Sequence, residues 1–228
     1  MKVINNESGN VAIIVVGLIV GLVIGFTIGR VMNDNKKTTA MSSTTGITAS
    51  AEALNNNLVT LGIDHMTLTD QAIDATLDGN KDATAFDTAL YANGNTIGAA
   101  VGSVYGSSAQ TTFDSVWKLH LDQFVNYAVA DSKNDAAGKT AALNAIQTGY
   151  TVPLAQYLAK ANPNISESAL QTELTDHVTM TAQMIDDHVQ GNYTAEASEL
   201  NMANSHITTL FSGLANAIVK QYPSKFAN

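Results

Sequence analysis

The stretch Asp64-His65-Met66-Thr67-Leu68-Thr69-Asp70-Gln71-Ala72-Ile73-Asp74 returns as Asp176-His177-Val178-Thr179-Met180-Thr181-Ala182-Gln183-Met184-Ile185-Asp186, with seven of eleven positions identical. Both copies run on to a Gly-Asn pair, Gly79-Asn80 and Gly191-Asn192. A weaker third copy centres on His120, in Trp117-Lys118-Leu119-His120-Leu121-Asp122-Gln123-Phe124. A repeated segment constrains architecture before any single residue does, because each copy must bury the same face against its neighbours.

The repeats lie in helical pattern. Leu54, Leu58, Leu61, His65, Leu68 and Ala72 follow steps of three and four, which places them on one stripe. Gly79-Asn80 ends this helix as a left-handed cap requires. A second helix is expected from about Ala83 to Tyr105 and a third from about Ser108 to Ser132. The third carries the stripe Phe113, Val116, His120, Phe124 and Tyr127. A fourth covers about Ala136 to Ala161, and Pro153 should kink or split it, since proline has no amide to donate. Ser166 opens a fifth helix, with Ser168 as the alternative cap. The sixth runs from about Thr194 to Gln221. Six helices on short turns predict an all-α bundle of three antiparallel hairpins, and no stretch alternates with period two long enough to make a strand.

Outside the repeats, Val11 to Ile28 is an uncharged, mostly apolar run of 18 residues, at the threshold for a membrane-spanning helix. The preceding residues are poor in positive charge, and Ala49-Ser50-Ala51 lies too far downstream for ordinary signal cleavage, so an uncleaved anchor is expected. Arg30, Lys36 and Lys37 would place the C-terminal side in the cytoplasm by the positive-inside count. The linker rich in Thr, Ser and Asn resembles a surface stalk instead, and long domains translocate regardless of charge. The expected order is an anchor over 1–32, a polar linker over 33–49 and a bundle over 50–228, with the bundle outside the cytoplasm. Gly17, Gly21, Gly25 and Gly29 mark one face of the span, where a second copy could pack closely and self-associate.

Composition narrows the chemistry. A net charge of -9 leaves no basic patch for nucleic acid. The absence of cysteine removes disulfides, thiolate metal sites and cysteine nucleophiles. No nucleophile elbow, zinc-protease motif, P-loop or dinucleotide turn is present, so the chain does not read as an enzyme.

The polar residues kept in the apolar stripes are the remaining signal. Each first helix carries a histidine, His65, His120 or His177, and each second helix a polar or aromatic residue at a comparable place, Asn95, Tyr150 or His206. One reading makes these hydrogen-bonded core pairs that fix register. The other makes some of them ligands. His177, Met180, Met184 and His188 share one helix face, and Met202 and His206 follow on the next helix. The ligand set expected is His177, Met180, Met184 and His206, and imidazole with thioether suits copper, above all the cuprous ion. A di-iron bundle needs Glu-x-x-His pairs that are missing here. Asp64 and Asp176 each precede their histidine by one residue, so they point about 100° away from it on a helix.

Trp117-Lys118-Leu119-His120, the Gly102-to-Gly106 turn, Asn162-Pro163 and the ending from His206-Ile207 to Gln221-Tyr222-Pro223-Ser224-Lys225-Phe226 resemble a family of bacterial exported or membrane-anchored helical-repeat proteins whose function is uncharacterised. The resemblance covers roughly residues 55–226. It implies a helical repeat fold with recurring core histidines and supplies no activity; Tyr150 stands where that pattern has asparagine. The expectation is a single-pass, surface-exposed helical bundle acting as a binding or interaction module, with a copper-type metal-binding bundle as the alternative.

Overall fold

The computed structural model describes residues 47–227, and every regular element among them is helical. The expected membrane span, its glycine row and most of the linker lie outside the described residues. Among the described residues, no helix is long and apolar enough to cross a membrane.

The helices are α1 (Ala49–Leu77), α2 (Ala83–Tyr105), α3 (Ser107–Ser132), α4 (Ala136–Ile146), α5 (Val152–Ala161), α6 (Glu167–Val189) and α7 (Tyr193–Gln221). A π turn, Gln147–Thr151, joins α4 to α5, so the two form one interrupted helix and the bundle has six. Pro153 stands just beyond the interruption. Without its amide the α ladder cannot run through unchanged, and the extra residue is absorbed as a π turn. Helix starts follow side-chain caps: Thr48, Asp135 and Ser166 each accept from the amide three residues on.

Three helix ends share one turn. The amides of Asn80, Asp135 and Asn192 bond back to the carbonyls of Ala75, Ala130 and Asp187, each at 2.8 Å. The residue before each amide is left-handed: Gly79 (φ +67°), Asn134 (φ +56°) and Gly191 (φ +73°). This is the Schellman closure. Each left-handed residue stands fourteen positions beyond His65, His120 or His177, so the third copy keeps the turn with asparagine in place of glycine.

Consecutive helices pack along one another, and α7 returns to pack against α1, closing a ring. Inside it α1, α3 and α6 also touch one another. Ile146, Tyr150, Met184, Ile185, Ile207 and Met66 are among the most deeply buried side chains. Burial of such a core is the main force that holds amphipathic helices in place. Gly94 lets α2 approach α3, since a Cβ there would stand 2.8 Å from the Trp117 indole.

Candidate metal centre

The three helices at the middle are those that carry the repeated histidines. His65 (α1), His120 (α3) and His177 (α6) are at most 1% exposed. One ring nitrogen from each lies within 4.8 Å of the other two. The His65 ring centroid is 5.6 Å from that of His120 and 5.9 Å from that of His177. The polar groups that usually satisfy buried imidazoles are missing: His65 Nδ1, His177 Nδ1 and both ring nitrogens of His120 have no hydrogen-bond partner among the described residues. Leaving such atoms unpaired costs roughly 1–3 kcal/mol each.

Burial also fixes their charge. It lowers the His65 pKa to about 4, and lowers that of His177 to about 3 with help from His65 and His206. Burial first, then the neighbouring His65 and His177, holds His120 well below its ordinary value. All three are neutral near pH 7, the form in which imidazole binds a metal.

Aromatic rings wall the cluster. Tyr150, in the π turn, stacks on His120, and Trp117 stands edge-on to His120 with centroids 4.7 Å apart. Trp117 is also 4.9 Å from His65. The backbone is tied down as well. Thr69 and Thr181 donate to the carbonyls of His65 and His177, one turn back. Asn93 Nδ2 donates to Leu61 O and His206 Nε2 to Glu173 O, each carbonyl lying four residues before a core histidine. These bonds hold α2 against α1 and α7 against α6 one turn from the cluster.

Of the expected ligand set, His177 is the member that belongs to the imidazole cluster, with His65 and His120. Met184 is buried two turns further along α6, and Met180 is half-buried. His206 is half-buried and bonds the α6 backbone, and Met202 is exposed. The buried polar residue of α2 is Asn93, whereas Asn95 is exposed. Asp64 and Asp176 are exposed, in keeping with their helical phase.

A second group, of which the sequence reading had named only His188, sits where α1 and α6 end and α7 begins. His188 Nδ1 is 3.0 Å from Asp74 Oδ1 and 2.9 Å from Glu196 Oε1, and Nε2 is 3.3 Å from Asp78 Oδ1. Burial acts against charging His188. The hydrogen bond to Glu196 and the charges of Asp74 and Glu196 override it, so its pKa is raised. Burial, then the charge of Asp70, raises Asp74. Here both ring nitrogens of His188 have carboxylate partners, and Asp74, His188 and Glu196 each bring one ligand atom within 4.8 Å of the other two. Glu196 gave no signal in the sequence because it occupies the first turn of its helix, where acids are ordinary.

Comparison with family models, with curated proteins and with solved structures finds no match for this chain.

Proposed function

We propose that this chain is a membrane-anchored metal-binding bundle that holds one ion on His65, His120 and His177. The observation that carries the reading is the meeting of three buried imidazoles from three helices, four of whose ring nitrogens lack a hydrogen-bond partner among the described residues. Buried polar atoms without partners are rare in folded proteins and call for an explanation. An ion at their centre supplies one.

Three imidazoles suit copper and zinc. The surroundings favour the cuprous ion: no carboxylate or thiolate belongs to the cluster, and the desolvation cost of an ion rises with the square of its charge. Ligand bonds of about 2.0 Å put three trigonal nitrogens roughly 3.5 Å apart, so the rings close inward on binding. The role is binding and holding the ion, not catalysis. Each unit of the bundle is a copy of one helical hairpin that contributes one ligand, with the anchor over 1–32 and the linker over 33–49 carrying the bundle outside the cytoplasm. The rival reading, an interaction surface, rests on no comparable observation: the exposed Ile63, Val125, Tyr193 and Met202 are spread over three helices.

The test is a titration of the full chain with copper(I) against a chromophoric competitor, and separately with zinc. One copper(I) per chain, lost in His120→Ala, supports the reading. No binding of either metal by folded wild-type protein removes it.

A further inference from the structure

Between the histidines and the end of the bundle at which α2 finishes and α3 begins lies a cavity of about 60 Å³. Its walls include Leu58, Ile97, Phe113, Leu154, Leu174 and Phe211. No charged side chain lines it among the described residues. Its inner wall is made by Trp117 and Tyr150, two of the rings that contact His120. Near its outer end Tyr105 lines the space while its hydroxyl is held in a polar knot. It donates to Gln221 Oε1 at 3.0 Å and accepts from Asn162 Nδ2 at 3.1 Å. Gln221 Nε2 donates in turn to Ala161 O at 2.8 Å. These bonds occupy the polar atoms there, so the space behind them presents hydrocarbon.

We propose that this cavity binds a small neutral apolar molecule, of the size of a diatomic gas, on the far side of Trp117 and Tyr150 from the three histidines. Size and polarity together select the ligand class. A cavity without polar partners stays dry, and one of about 150 Å³ is enough for benzene or xenon. The smaller volume here suits two heavy atoms rather than an acyl chain. A charged or hydrogen-bonding ligand would lose its hydration with nothing in return. That the bound molecule then reaches a metal rests on the histidine site proposed above; binding in the cavity does not.

The chain has one tryptophan, so the Trp117 indole gives a single reporter on the cavity wall. The full chain, free of metal, is titrated with xenon under pressure while the indole ¹H–¹⁵N resonance is followed. The expected result is a saturable shift in the wild type that is lost in Leu154→Phe and in Ile97→Phe, either of which fills the space. A wild-type indole signal that is dispersed, as in a folded protein, yet unmoved by xenon overturns the proposal. So does a shift that persists unchanged in both folded variants. Carbon monoxide is then added to copper(I)-loaded protein and the C–O stretch recorded. A band in the wild type that weakens in Leu154→Phe at equal copper content links cavity and metal. An equal band in both shows that the gas reaches copper by another route and removes that link. Failure of copper to bind at all leaves the xenon result standing and removes the histidine reading alone.

Discussion

Tyr150 lies flat against His120, with ring centroids 4.2 Å apart and planes inclined by 22°. The contact exists because the π turn brings Tyr150 into the core, where it is 1% exposed. Burial alone raises its phenol, so the side chain acts as a neutral aromatic wall. Tyr150→Phe should therefore retain fold and metal binding. Tyr150→Ala should lose about 3–5 kcal/mol of stability in urea unfolding, the usual cost of removing a buried aromatic ring.

Metal binding should follow convergence rather than helix face. His65→Ala, His120→Ala and His177→Ala should each weaken copper(I) binding by orders of magnitude in the competitor titration. His206→Ala and Met184→Leu should leave it within a few-fold. Saturating metal at a hundred times its dissociation constant should add about 2.7 kcal/mol to the wild type, read as a rise in melting temperature.

Acid should act against the metal-free fold at these histidines. The pKa values of His65 and His177 in the fold, about 4 and about 3, lie below the ordinary 6.5 of an exposed imidazole. Between those values the unfolded chain binds more protons, so stability falls as pH drops below 6.5. The slope reaches about 1.4 kcal/mol per pH unit for each histidine. Asp70 and Asp74, raised to about 6 and about 8 chiefly by burial, pull the other way, since their protonated forms favour the fold. The measurement is therefore a difference: wild type should be more acid-sensitive between pH 6.5 and 4 than His65→Leu, by up to that slope.

The three turns should respond unequally. Gly79 and Gly191 are left-handed with open space where a Cβ would stand, so Gly79→Ala and Gly191→Ala should each cost about 1 kcal/mol through backbone conformation alone. Asn134 already carries a side chain at the same kind of position, and Asn134→Gly should be neutral or stabilising by a few tenths of a kcal/mol. Urea midpoints of the three variants check the order.

Much of this was legible in the sequence. Helical periodicity, the Gly-Asn ends and the break at Pro153 gave the six helices with boundaries close to those observed. The core position of all three histidines followed from the stripes. Their meeting did not, because periodicity reports a residue's phase on its own helix and says nothing of which helices share a centre. The expected ligand set drew on helix face in the same way. Residues on one helix face are spread along its axis, and Met184, seven beyond His177, stands about 10 Å further on at 1.5 Å per residue. An ion draws its ligands from one level. Local likeness between Ala92-Asn93-Gly94-Asn95 and Ala203-Asn204-Ser205-His206 pointed to Asn95, yet it is Asn93 that makes the bond equivalent to that of His206. A one-residue shift along a helix turns a side chain by about 100°, enough to exchange core for solvent.

Each core histidine belongs to a different helix of the inner three, and these helices are distant in the chain. An ion at their centre would act as a rivet through three segments far apart in the chain, so that opening any one of them breaks a ligand bond. Removing it with a chelator should then speed the opening of the whole bundle instead of loosening one loop, and the lifetime of the folded state becomes a gauge of metal supply.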